Sequence, residues 1–188
     1  MTVLKTLVTA IVMMVPLVGG AAVVERIGMA EMTQLARQVV QGTVMSRTGR
    51  YQETPGGRRI VTDVTIRVER VLRGGPDEPD SVVVTTLGGV VDGQGQLVPG
   101  APRLAEGDDV VLFLVPSRPA PDESPRLAVI GLSQGAFHLS RDPVSGTVRA
   151  TRRLHGLTFV GGDPEGVPSD QMVLDDLVRR IQTEKGAP

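Results

Sequence analysis

The chain has 188 residues and a mass of 19.9 kDa, which is room for one domain of ordinary size and too little for two large ones. Hydrophobic residues make up 40%, charged residues 22%, and the formal net charge is −1; this balance excludes a disordered polyelectrolyte and leaves no basic surplus for a nucleic-acid partner. Thirty valines, 23 glycines and 14 prolines, against three Phe, one Tyr and no Trp, favour short strands joined by tight turns.

Lys5 precedes an apolar run from Thr6 to Val18, broken only by Pro16 and followed by Gly19, Gly20, Ala21 and Ala22. One cation, an apolar stretch too short for a relaxed transmembrane span and small residues that fit a peptidase cleft have the order of a secretory signal peptide over residues 1–22. Cleavage after Ala22 and cleavage after Ala21 both fit, and an uncleaved anchor continued through Val23 and Val24 is the alternative. There is no cysteine, so an exported form has no disulfide and no lipid-attachment thiol. Its stability rests on a core, which the remaining chain of about 165 residues can build. Losing residues 1–22 removes only Lys5 and leaves 19 basic against 21 acidic residues. The expectation is a single domain over 23–188, periplasmic or extracellular, with no nucleic-acid partner and no membrane insertion after signal cleavage.

Met32, Leu35, Ala36 and Val39 stand at helical intervals, so Ala30 to Gln38 is expected as a short helix with one apolar stripe. Val40, Gly42 and Val44 then share one face of a strand, and Pro55-Gly56-Gly57 marks the turn after it. From Arg59 to Leu72 the alternation is long: Val64, Ile66 and Val68 point one way, Asp63, Thr65, Arg67 and Glu69 the other. Parity breaks at Arg70, because Val71 falls on the face of Glu69; this predicts a bulge, which lets one strand bend enough to serve both sides of a small barrel. Gly74-Gly75-Pro76 with Asp77, Glu78 and Asp80 reads as a solvated turn, since the acids lack the register of a calcium loop.

Val82-Val83-Val84 and Val110 to Val115 are apolar on both faces, which predicts central strands at both places. Between them, Gly88 to Gly107 carries too many turn glycines for long regular structure, although Gln96 to Val98 can pair briefly. Pro116 to Pro125 holds four prolines and is expected as a surface loop. Arg126 to Ile130, Ala136 to Ser140 and Thr147 to Thr151 read as short strands, most simply a meander. After the Gly161 to Pro168 segment, Ser169 or Asp170 caps a helix with Leu174, Leu177, Val178 and Ile181 on one stripe. Asp175 with Arg179 and Asp176 with Arg180 are its expected i, i+4 pairs, and Lys185-Gly186 stands where it stops.

Gly131-Leu132-Ser133-Gln134-Gly135 matches G-x-S-x-G, the nucleophile elbow of serine hydrolases, and Asp142 and His155 follow in Ser, Asp, His order. The elbow requires a strained turn from a strand into a helix, whose amino terminus helps to hold an oxyanion. Here Phe137 to Ser140 alternate like a strand and Pro143 soon follows, so a glycine turn is the expected form. His138 and His155 are the only histidines, and neither has a second ligand at a metal-binding interval; His138, between Phe137 and Leu139, reads as a surface or partly buried strand residue. Gly93-Gln94-Gly95 lacks the Lys-Ser/Thr pair of a phosphate loop. Arg58-Arg59 and Arg152-Arg153 are isolated pairs without an aromatic platform for single strands. The residues alone assign no catalytic, cofactor-binding or metal site.

Three stretches carry a family resemblance: Ala36 to Val44, Val68 to Gly74, and Gly107 to Leu114. They resemble exported bacterial proteins of uncharacterised role, which in turn resemble the netrin and tissue-inhibitor-of-metalloproteinases modules. The similarity spans roughly Leu35 to Arg141 and lies in strand and turn pattern, with Gly131 to Phe137 fitting as strand-turn-strand. It implies an OB-fold barrel. Those inhibitors chelate a protease's zinc through an amino-terminal cysteine, and this chain has none, so that mechanism does not carry over.

The expected fold is therefore mainly β: an OB-like antiparallel barrel of about five or six strands, with a short N-terminal helix and a C-terminal helix outside it. The expected function is a secreted non-enzymatic binding module. It engages a protein partner such as an exported protease, or another envelope component, through Gly88 to Gly107 and Pro116 to Pro125. The alternatives are an exported serine hydrolase using Ser133 and a domain whose role is assembly.

Overall fold

The computed structural model describes residues 20–74, 79–117, 126–160 and 171–185. Most of the signal segment, Asp77 and Glu78, most of the Pro116 to Pro125 loop, the Gly161 to Pro168 segment and the capping candidates Ser169 and Asp170 lie outside the described residues.

The chain is mainly β. β1 (Ala22–Glu25) and α1 (Met29–Leu35) precede a long hairpin of β2 (Gln38–Thr54) and β3 (Gly57–Arg73), which turns at Pro55-Gly56. β4 (Ser81–Leu87) is followed by the short β5 (Gly89–Val91) and β6 (Gln94–Gln96), then by β7 (Asp109–Pro116) and β8 (Leu127–Val129). A 3-10 turn at Leu132–Gly135 leads into β9 (Ala136–Arg141), β10 (Val148–Arg152), β11 (Leu157–Val160), β12 (Gln171–Val173) and α2 (Leu174–Lys185).

Eight strands form one sheet in the order β12-β10-β9-β7-β2-β3-β4-β8, and β8 also pairs with β7. The order thus returns on itself: β2, β3, β4, β8 and β7 are successive neighbours in a ring, while β9, β10 and β12 continue outward from β7. The expectation of a wholly antiparallel barrel is corrected at the closure, where β4 meets β8 in parallel through Val84 and Leu127. A ring with an odd number of strands cannot alternate direction throughout, so one neighbour pair must run parallel.

The expected meander is corrected too. β8 and β9 lie in tandem along one edge of β7, with Leu127–Val129 opposite Leu114–Pro116 and Ala136–His138 opposite Val110–Leu112. The 3-10 turn is an insertion between these two stretches. Only β9 and β10 make a hairpin there. The β2–β3 register skips Glu69, between Gln41↔Arg70 and Gly42↔Val68, which is one residue from the predicted parity break.

β7 is buried on both faces for a reason the ring supplies. Val110, Leu112 and Leu114 join Val40, Val44, Val64, Ile66 and Val84 in the ring interior. Val111 and Phe113 point the other way, into a second core with Met32, Phe137, Leu177 and Ile181 from the two helices and β9. The Phe113 and Phe137 rings stand 5.9 Å apart at 47°, a tilted contact that suits aromatic quadrupoles. β4 has a core on one side only, so Val82 and Val84 are buried and Val83 is exposed, against the expectation of apolar packing on both faces.

β12 occupies the place read as the first helical turn, and α2 starts at Leu174 with the predicted stripe buried. Its described ion pair is Asp176 with Arg179 at 3.2 Å, an i, i+3 contact in place of the expected i, i+4 ones. Asp63 of β3 ties the ring together. Its carboxylate accepts from Arg50 Nε of β2 at 2.7 Å, from Thr85 Oγ1 of β4 at 2.8 Å, and from Arg126 just before β8.

Candidate functional site

Gly131 and Leu132 have φ of 59° and 61°, so the G-x-S-x-G segment enters its turn through two left-handed residues. A Cβ at Gly131 would stand 2.7 Å from Ile27 Cδ1 and 3.0 Å from Gln134 Nε2, which together with the φ explains the glycine. Ser133 is buried; its N–H donates to the Gly100 carbonyl at 2.9 Å, and its Oγ has no hydrogen-bond partner among the described residues. The turn leads into β9, not into a helix.

Asp142 lies at the tip of the β9–β10 hairpin. Its carboxylate accepts from the N–H groups of Ser145 at 2.8 Å and Val144 at 2.9 Å, and these bonds hold it below the usual carboxylate range. His155 is exposed beyond the other end of β10, whose five residues span roughly 17 Å. The structure therefore does not bring Ser133, Asp142 and His155 together.

Gln134 has a role that nothing in the local sequence marks. Its buried amide accepts from the Ile27 N–H at 2.9 Å and donates to the Glu25 carbonyl at 3.0 Å, fastening the segment after β1 to the turn. β1 itself pairs in parallel with β11, from Ala22↔Leu157 to Glu25↔Val160. His138 of β9 is buried, with Nδ1 3.4 Å from Asp108 Oδ2. Burial and then the Arg153 guanidinium hold the imidazole below its ordinary value of 6.5, against the opposing pull of Asp108. Among the described residues no group of three or more His, Cys, Asp or Glu is placed to hold a metal ion, and no helix is long and apolar enough to cross a membrane.

Residues 88–107 build one side of an open cleft. β4 ends where Gly88 and Gly89, at φ of 84° and 136°, turn the chain away from β3. The β3–β4 ladder ends at Val61 and Leu87, and the Ile60 carbonyl and N–H beyond it are met by the Gly88 N–H at 2.9 Å and Gln96 Oε1 at 2.6 Å. Asp92 and Gly93 both have positive φ, the form required for a two-residue hairpin turn between β5 and β6. Downstream, the Gly100 carbonyl is tied to Ser133, and Leu104 is buried in the ring core. The Gly107 N–H donates to the Val44 carbonyl at 2.9 Å. The segment is thus a fixed wall, anchored to β3, the 3-10 turn and β2.

Between this wall and Arg47 of β2, Thr62 of β3 and the end of β4 lies about 640 Å³ of open cleft. Its apolar lining is Leu87, Val90, Leu97, Val98 and Leu104, and its buried hydroxyls, Thr62 and Thr86, are engaged with Gly88 and Thr62 carbonyls. Three arginines line it as well: Arg47 from β2, Arg103, and Arg153 just after β10. Val90 and Leu97 remain 66% and 76% exposed, so two large apolar side chains at the cleft are uncovered in the monomer. Of the two loops read as binding surface, 88–107 thus forms the cleft, and 116–125 falls mostly outside the described residues. The contributions of Arg47 and Arg153 arise only through folding. Comparison with protein-family models, curated proteins and solved structures gives no match to this chain.

Proposed function

We propose that the protein is a secreted, non-enzymatic binding module on an OB-type barrel, and that it receives part of a protein partner in the cleft beside residues 88–107. The OB assignment is supported by the five-membered ring β2-β3-β4-β8-β7 and its single parallel closure. The resemblance to netrin and tissue-inhibitor-of-metalloproteinases modules implies the same fold. The signal-like order of residues 1–22 supports export to the periplasm or beyond.

The cleft carries the functional reading. Its volume of about 640 Å³ falls in the range of binding pockets, and its exposed Val90 and Leu97 form the kind of apolar surface that a partner covers. The test is affinity capture from the native envelope and culture medium with the exported protein and with its V90S/L97S variant. Both substitutions are at exposed positions and leave the core intact. A protein retained by the wild type and released by the variant fits the reading; identical retention, or none, contradicts it. The alternative hydrolase makes the opposite prediction for an active-serine probe: labelling that disappears in Ser133→Ala would replace the binding reading.

A further inference from the structure

Resting on the reading of this cleft as the binding site, we propose that its occupant is an acidic, extended peptide segment of the partner, with carboxylates alternating with apolar side chains. Arg47, Arg103 and Arg153 come from three separate parts of the chain and line one cleft, and none of them has a carboxylate partner among the described residues. No carboxylate lines the cleft among the described residues; Glu106 lines the adjoining depression, which shares Arg47, Thr62, Gly89 and Val90 with it. Three arginines without an ion-paired carboxylate, in a chain of net charge −1, concentrate positive charge at one cleft, and guanidinium forks donate to carboxylates in bidentate geometry.

The same cleft also presents apolar surface. Leu87, Val98 and Leu104 line the cleft together with the exposed Val90 and Leu97, so the ligand needs apolar groups as well as charge. Successive side chains of an extended peptide point to opposite sides; one set enters the apolar lining while the other meets the arginines. A nucleic acid would bring the charge, but no aromatic side chain lines the cleft among the described residues to stack its bases.

The experiment is selection of phage-displayed random dodecapeptides on the exported protein. Fluorescence anisotropy then follows the best synthetic peptide against wild type, V90S/L97S and R47Q/R103Q/R153Q. All three arginines are exposed, and a thermal melt checks that each variant is folded. The expected result is enrichment of peptides rich in Asp and Glu among apolar residues. Their binding weakens about tenfold or more in the triple variant, and comparably in raised salt or when the acids are replaced by amides. Enrichment of neutral or basic peptides, no enrichment, or binding indifferent to the arginines overturns the proposal. So does arginine-dependent binding to phosphatidylglycerol vesicles without any acidic peptide. If V90S/L97S still releases the captured partner while the arginine variant does not, the acidic ligand fails and the cleft stands; if neither variant matters, the cleft fails too.

Discussion

Asp63→Asn is the sharpest perturbation of the fold, because it keeps the shape of a side chain that joins four members of the ring while removing its charge. The side chains of Asp63, Arg50 and Arg126 are 12%, 22% and 28% exposed. That places the network between exposed ion pairs, worth about 0–1 kcal/mol, and buried ones, whose disruption costs about 3–5 kcal/mol. The expected loss is about 2–3 kcal/mol, or roughly 5–10 °C in Tm for a chain of this size. Urea is the denaturant of choice, since guanidinium salt screens the interaction under test. The m-value should stay constant. Arg126→Gln should lose less, about 1 kcal/mol, because Arg50 still faces the carboxylate. In both variants amide exchange at Leu127–Val129 should rise, since Arg126 leads into β8 where it closes the ring. A loss below about 1 kcal/mol for Asp63→Asn, or unchanged exchange in β8, would refute the clamp.

Gln134→Ala should destabilise by about 2–3 kcal/mol, because it strips the Ile27 N–H and Glu25 carbonyl of their partner; faster limited proteolysis between residues 22 and 28 is the second readout, and an unchanged Tm would contradict it. Gly131→Ala forces a Cβ onto a left-handed residue beside Ile27 and should lose about 1–2 kcal/mol or more in chemical denaturation; a neutral result would mean that the turn relaxes freely. For His138, burial and Arg153 lower the folded-state pKa, so the unfolded chain takes up the proton first. Stability present above pH 6.5 is then lost as the pH falls from 6.5 through the lower folded value. His138→Leu should flatten that part of the Tm–pH curve, and parallel curves for the two proteins would contradict the assignment.

What was legible in the sequence was local or periodic. The continuous run Val110 to Val115 announced a strand buried on both faces, and the parity change near Arg70 announced a bulge, because side-chain alternation registers both directly. The stripe of α2 was readable for the same reason. Val83 misled, since an apolar side chain is compatible with either face and only the one-sided packing of β4 decides. The closure through Val84 and Leu127, the pairing of β1 with β11, and the grip of Gln134 on residues 25–27 join distant segments, and no short-range pattern encodes such contacts. The glycines of 88–107 marked the loop as special. The three arginines of its cleft did not stand out, because Arg47 and Arg153 reach it only after the ring and the β9–β10 hairpin have formed.

The central claim, that the cleft beside residues 88–107 is the working surface, is tested most directly by a photo-crosslinking amino acid placed at Leu97 in the native host. The same probe at Val144, which is 95% exposed on the β9–β10 turn, is the control. The expected result is one discrete protein adduct from position 97, absent from position 144 and diminished in R47Q/R103Q/R153Q. No adduct from position 97, or the same adducts from both positions, would contradict it.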